Sequence, residues 1–325
     1  MKKAIKWILW IALGIGLVFF PIVFGIYYTN FFVSVAIMAV FAQSINIELG
    51  YTRLLNFGHA MFFGMGGYGT ALALQHIPWM SLLGAVLCGM FLAALMALVF
   101  CPLIVRVSGM AFAMLHVAFN SLLFMLALKL RDITGGEDGL GGFPIPPFNF
   151  PGIISINMKS PFNFYYFAVA ILAISLWLMW YFTKTPFGQV MLGIRDNPKR
   201  VDYLGFKVPE SKGLVYIVGG AFAGVAGSIY ALFQNLISVD AIGPVNSFLP
   251  VLMSLVGGIG TFLGPIIGSA FFQVVEELAR HFTDRVELVM GLTLVIVILF
   301  APMGFMGVYR DLKVRWGKPP SLPKI

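Results

Sequence analysis

The stretch MSLLGAVLCGMFLAALMALVFCPLIV, residues 80–105, decides the fold, because its 26 consecutive residues include no charged side chain. Coiled as a helix at 1.5 Å per residue it measures about 39 Å, more than the roughly 30 Å hydrocarbon core of a bilayer. In lipid a helix satisfies its own backbone, whereas an isolated strand would leave every N–H and C=O unpaired. Outward from this run, similar ones cover residues 5–28, 31–49, 60–75, 109–128 and 162–183, and less cleanly 213–236, 241–256, 265–276 and 288–309. The runs at 60–75 and 265–276 are short for the hydrocarbon core, so about ten transmembrane helices are expected, or eight if those two are re-entrant. Over the whole chain of 325 residues 60% are hydrophobic and 10% charged, against roughly 25% charged in a soluble domain. The expected fold is an all-α polytopic membrane protein.

Charge placement orients it. With the amino terminus inside, ten crossings leave 16 of the 21 Lys and Arg on the inner face and 5 on the outer, with the 13 acidic residues divided 5 inside and 8 outside. That asymmetry follows the positive-inside rule and puts both termini in the cytoplasm. The net charge of +8 is scattered between apolar runs and in the tail, which fits cytoplasmic loops on an anionic leaflet and not a nucleic-acid partner. Lys2, Lys3 and Lys6 ahead of the apolar residues 7–28 read as a first span, because the run is too long for a leader and no A-x-A site follows. Residues 129–160, with Gly-Gly and Pro-Pro pairs, should be an extracytoplasmic loop without a regular helix. Residues 184–212 hold six basic and three acidic residues and should form the main cytoplasmic loop. Residues 1–309 then form one transmembrane domain, and 310–325 a basic, proline-rich cytoplasmic tail of extended form.

Catalytic chemistry has no visible seat. No G-x-x-x-x-G-K-[ST], H-E-x-x-H or G-x-S-x-G occurs, so no catalytic residue and no metal site is expected, and the chain should bind no cofactor itself. Cys88 and Cys101 share one apolar run and read as packing residues. Ionisable side chains in the middle of spans look nearly absent, which argues against an ion-coupled carrier. Gln43, Ser44, Asn46, His116 and Asn120 are the polar residues within spans, each either an interhelical hydrogen-bonding group or a lining of a path. Between Gly50 and Tyr68 five glycines surround Asn56 and His59, a composition suited to a tight helix contact or to a helix break at membrane depth. Gln43, Asn46, Asn56, Gly58, His59, Phe62, His116 and Asn120 are therefore the candidate translocation-path residues. Gly220 and Gly224, and Gly260, Gly264 and Gly268, recur at intervals of four and suit helix packing. In the cytoplasmic loop, residues 186–197 and 198–204 read as two short amphipathic helices ending at Gly205, with Met191, Ile194, Val201 and Leu204 as apolar anchors for docking in a groove or on lipid.

Taken in order, Gly50-Tyr51, Leu55-x-x-Gly58-His59-Ala-x-Phe62-Phe63-Gly64-x-Gly66-x-Tyr68, Arg106-x-x-Gly109-x-x-Phe112-Ala113, Thr134-Gly-Gly-x-Asp138-Gly139-Leu140, Phe187-Gly188, Ile194-Arg195-Asp196-Asn197, Leu204-Gly205 and Gly257-Gly258-x-Gly260-Thr-x-x-Gly264-Pro265-x-x-Gly268 resemble the permeases of branched-chain amino acid ABC importers, in particular the longer of their two types. The resemblance implies an inner (cytoplasmic) membrane protein of a bacterium or archaeon. Its implied partners are a homologous second permease, two cytoplasmic ATP-binding subunits that carry the ATP, and an extracytoplasmic substrate-binding protein. It makes residues 184–212 the ATPase-coupling loop, with Phe187, Gly188, Ile194, Arg195, Asp196, Asn197, Arg200, Leu204 and Gly205 as its contact residues. His116 and Gly67 stand where the family more often has Thr and Ala, so the implied substrate widens from branched-chain to related amino acids, with amides and urea as alternatives. A stand-alone secondary carrier is the rival reading.

Overall fold

A computed structural model describes residues 2–104, 106–107, 109–150, 154–158, 160–301 and 303–316. Helices α1 (Lys2–Thr52), α2 (Ala60–His76), α3 (Leu82–Ile104) and α4 (Met110–Lys129) are followed by a single helical turn, α5 (Arg131–Thr134), and three short strands, β1 (Leu140–Gly141), β2 (Phe148–Phe150) and β3 (Ile154–Ile156). Then come α6 (Pro161–Lys184), α7 (Pro186–Asp196), α8 (Pro198–Tyr203), α9 (Val208–Gln234), β4 (Leu236–Ile237), α10 (Pro244–Gly257), α11 (Gly264–Phe282), α12 (Val286–Phe300) and α13 (Gly304–Trp316). Of the described residues, 81% are helical. β2 pairs antiparallel with β3, and β1 antiparallel with β4.

Among the described residues, six helical stretches are long and apolar enough to cross a bilayer: 19–52, 82–103, 110–129, 161–184, 208–234 and 286–310. The departures from ten have local causes. The expected spans 5–28 and 31–49 are joined in α1, which breaks at Gly25 (φ 75°, ψ 179°), a conformation glycine adopts without a Cβ penalty. An unbroken helix would hold residues 20 and 32 about 18 Å apart along its axis, yet the Phe20 and Phe32 rings lie 5.1 Å apart, so the chain folds back at this break. Helix α2 has 17 residues, about 25 Å, and is buried on nearly all sides. The run at 241–256 resolves into a 3₁₀ turn, Val239–Ile242, and the 14-residue α10, about 21 Å and too short to cross. Residues 131–134 are helical where a loop without helix was expected. Residues 310–316, expected in an extended tail, continue α13, since no proline falls between Met303 and Lys318. Residues 317–325 of that tail lie outside the described residues.

Helices α2, α3 and α9 form the tightest unit, with α1 packed across α9 and α6. Glycines permit the approach. A side chain at Gly66 would strike the Gly224 backbone, one at Gly227 the Phe63 carbonyl, and one at Gly224 the Ala93 methyl. Two ends of the bundle can be told apart. One gathers Gly50, Arg195 and Gly260. The other gathers the β1–β4 pair, a Tyr27–Glu277 hydrogen bond and a cavity of about 270 Å³ lined by Phe124, Leu128, Glu137, Val239 and Asp240.

Candidate functional site

Helix α1 ends at Thr52, where Arg53 takes a left-handed φ of 57°, and the chain then turns back beside the helix it has just left. Asn56 Nδ2 donates to Glu48 Oε2 at 3.0 Å, and His59 Nε2 lies 2.8 Å from Ser44 Oγ. Residues 53–59 therefore retrace α1 from the level of Thr52 to that of Ser44, about 12 Å along the axis, in non-helical backbone. Such backbone is tolerated at membrane depth only inside protein or along a cavity, and here Asn56, Gly58 and His59 are fully buried. Gly58 lies against the His116 carbonyl and the Asn120 side chain, where a Cβ would overlap the carbonyl. Helix α2 starts at the foot of this segment, its Ala60 N–H donating to Ser247 Oγ of α10 at 3.2 Å. Two short helices thus begin next to one another in the interior.

All eight candidate path residues are buried, but they do different things. Gly58 N–H donates to Asn56 Oδ1 at 2.9 Å, which fixes the amide so that Nδ2 faces Glu48 and His59. His116 Nδ1 lies 2.8 Å from the Phe112 carbonyl and so carries the proton, leaving Nε2 to accept from the Tyr216 hydroxyl at 3.1 Å. Phe62 stands edge-on to both His59 and Tyr216. Asn120 Nδ2 donates to the Ile242 carbonyl at 2.9 Å, while its Oδ1 and Gln43 Nε2 find no partner among the described residues. Asn46 is a clamp on the turn between α10 and α11: Oδ1 accepts from Gly260 N–H at 2.9 Å and Nδ2 donates to the Thr261 carbonyl at 3.0 Å.

Glu48 departs from the expectation of spans almost free of charge: sequence places it among the inner-face acids, but its carboxyl is fully buried between Asn56, His59 and the Gly219 backbone. The available signal was that Glu48 is the one acidic residue inside the 31–49 run.

Helices α7 and α8 occupy the expected segments of the 184–212 loop. Asn197 caps α8, its Oδ1 accepting from Arg200 N–H at 3.1 Å, as an Asn at this position should. Gly188 packs on the Thr183 carbonyl, Phe187 lies 5.6 Å from the Phe182 ring, and Gly205 has φ 88°. Three of the four apolar anchors, Met191, Ile194 and Val201, are buried in this chain's own core, whereas Leu204 is 70% exposed beside Tyr203 at 88% and Phe206 at 48%. The outward apolar surface is thus residues 203–206, flanked by exposed Lys199, Arg200 and Lys207. The Glu210 carboxylate, hydrogen-bonded to Lys207 at 2.7 Å, raises the Lys207 pKa above its ordinary value. Asp196 is exposed and pairs with Arg195 at 3.2 Å, and Arg195 Nη1 also donates to the Gly50 carbonyl at 3.2 Å, joining α7 to the end of α1.

Gly220 faces Ala97 and Phe62, Gly264 the Gly258 carbonyl, and Gly268 the Met253 carbonyl. Gly260 makes its close approach from a turn (φ 77°) and not from a helix, 3.1 Å from Arg195 Nη1 and 3.2 Å from the Gly50 carbonyl at its would-be Cβ. Among the described residues no three His, Cys, Asp or Glu side chains converge as metal ligands.

Comparison with known proteins gives a family match over residues 27–301, to the family described as branched-chain amino acid transport system, permease component. The chain is 24% identical over 302 residues to the high-affinity branched-chain amino acid transport system permease protein LivM of Salmonella typhimurium, covering 87% of this chain and 71% of that protein. It is 24% identical over 301 residues to LivM of Escherichia coli, covering 86% and 70% respectively. It is 26% identical over 293 residues to the probable branched-chain amino acid transport permease protein LivH of Methanocaldococcus jannaschii, covering 84% and 89%. No solved structure matches.

Proposed function

Because the chain belongs to the permease component family of branched-chain amino acid transport systems and is a multi-pass protein of the cell inner membrane, we propose that it forms one half of an importer's translocation path for branched-chain or related amino acids. ATP is bound and hydrolysed on two separate cytoplasmic subunits, a second permease completes the path, and an extracytoplasmic binding protein delivers the substrate. The chain itself binds no cofactor and catalyses nothing. Residues 1–309 form the transmembrane domain, with both termini and the 184–212 loop cytoplasmic and 129–160 extracytoplasmic. The observation that carries this reading is the Arg195–Gly50 hydrogen bond. It ties a cytoplasmic-type loop with an exposed apolar tip at Tyr203 and Leu204 directly to the helix that bears the buried polar core.

Alternating access supplies the mechanism: the ATP-bound and ATP-free subunits favour different conformations, and the ligand moves only because those states differ in free energy. A push on α7 reaches Gly50 and Gly260 through Arg195, and from Gly260 reaches Asn46 in α1. The path then runs past the buried Gln43 of α1 and Asn120 of α4, whose Nε2 and Oδ1 are left unpaired among the described residues, polar atoms that water or a polar solute would satisfy. The test is amino acid uptake into vesicles holding this chain alone or with its permease and ATPase partners, with and without ATP. Uptake that requires the partners and ATP supports the proposal; gradient-driven uptake by the chain alone refutes it.

A further inference from the structure

Glu48 is a buried acid that the transport mechanism above does not use, and its surroundings specify a proton. Every hydrogen around it can be assigned. Gly58 N–H orients Asn56, whose Nδ2 then donates one hydrogen to Glu48 Oε2 at 3.0 Å and the other to His59 Nδ1 at 3.3 Å. His59 Nδ1 is therefore an acceptor. Ser44 donates to the Phe41 carbonyl at 2.7 Å, so the 2.8 Å contact between Ser44 Oγ and His59 Nε2 needs its hydrogen from the imidazole. Together these bonds fix His59 as a neutral ring protonated at Nε2 only.

The consequence falls on Glu48 Oε1. Among the described residues it receives no hydrogen bond; it is fully buried and stands 3.4 Å from His59 Nδ1, whose one lone pair also faces the Asn56 Nδ2 hydrogen at 3.3 Å. An ionised carboxylate there would set two lone pairs against each other in a dry interior, where an unpaired charge is strongly unfavourable. Among the described residues no other neighbour offers compensation. On α4, His116 is neutral and satisfied by Phe112 and Tyr216. On α9, Tyr216 donates to His116, and Gly219 presents only backbone. On α7, Arg195 bonds the Gly50 carbonyl and Asp196. On α2 and α10, Phe62 and Ser247 are uncharged, and Ser247 accepts from Ala60.

We propose that Glu48 is a proton-binding site, carried as a neutral carboxylic acid whose Oε1–H shares the His59 Nδ1 lone pair with the Asn56 Nδ2 hydrogen. The site lies two residues from Gly50, where the Arg195 contact meets α1. Water admitted at this end would solvate the carboxylate and release the proton, so occupancy of the site is linked to closure of the core. The inference concerns the chain's own interior and holds whichever solute is carried.

The experiment is infrared difference spectroscopy of the full-length chain in lipid nanodiscs at neutral pH, wild type against Glu48→Gln, in H₂O and D₂O. Histidine ¹⁵N spectra, with His59 assigned through His59→Gln, accompany it. The expected result is loss of one deuterium-sensitive carboxylic-acid carbonyl band in Glu48→Gln, with His59 protonated at Nε2 alone in wild type. Should Glu48→Gln fail to insert, Glu48→Asp serves, because it keeps an acid and shifts the band. A carboxylate at Glu48, or an imidazolium at His59, overturns the proposal.

Discussion

Replacing Asn46 with Ala isolates the clamp that holds the α10–α11 turn against α1. The substitution deletes the bonds to Gly260 N–H at 2.9 Å and the Thr261 carbonyl at 3.0 Å, and a longer one to Gln43 Oε1 at 3.3 Å. Hydrogen bonds between helices in lipid average about 0.6 kcal/mol with a maximum near 1.7, whereas a donor or acceptor stranded in the interior costs about 1–3 kcal/mol. Gly260 and Thr261 are partly buried, so the two backbone groups together should cost about 2–4 kcal/mol. At roughly 2–4 °C per kcal/mol for a chain of this order of size, Asn46→Ala should melt several degrees below wild type when followed by near-UV circular dichroism in detergent. Gln43→Ala is the control: it removes the same 3.3 Å bond and also the unpaired Nε2, and should fall by less than about 1 kcal/mol. Coincident melting of the two variants would refute the clamp.

Three further outcomes are expected. Gly227→Ala, whose Cβ would overlap the Phe63 carbonyl, should lower thermal stability, whereas Gly291→Ala, with nothing within 4 Å, should leave it equal or slightly higher on helix propensity; a melting scan of both separates sterics from propensity. Arg195→Ala in the assembled transporter should lower uptake about ten-fold, the equivalent of ~1.4 kcal/mol for a charged hydrogen bond, while ATP hydrolysis continues, and an equal loss of both activities would contradict a transmission role. Leu204→Asp changes a side chain that is 70% exposed, so melting should stay within about 0.5 kcal/mol of wild type while co-purification with the ATPase subunits is lost; retention of the subunits would move the docking surface elsewhere.

Membrane residence was legible from local sequence alone, because transfer of an apolar run into lipid depends on the run itself and hardly on what it packs against. Residues 80–105 make that case without help from any other segment. The loop helices were legible for a similar reason: Pro186, Pro198, Asn197 and Gly205 act through their own backbone geometry within one or two turns. The break in the glycine-rich stretch 50–68 was readable as one of two possibilities, and packing against α4 and α10 selected it. The number of crossings was less secure, since a 14-residue helix such as α10 and a fold-back at Gly25 differ little in hydropathy from a span and a loop.

The roles of individual polar residues were decided only by the tertiary structure. Sequence could show that Asn46 and His59 are polar residues within or beside apolar runs, but not that Asn46 would meet a turn more than two hundred residues away while His59 met Ser44. Nor could it tell Met191, Ile194 and Val201, which turn inward, from Leu204, which turns out, because all four lie on short amphipathic helices whose partner face is set by the bundle. Glu48 shows why most clearly. An acid one turn from a helix end reads as a group in water, and it becomes a buried one only because residues 53–59 fold back over it and close the interior.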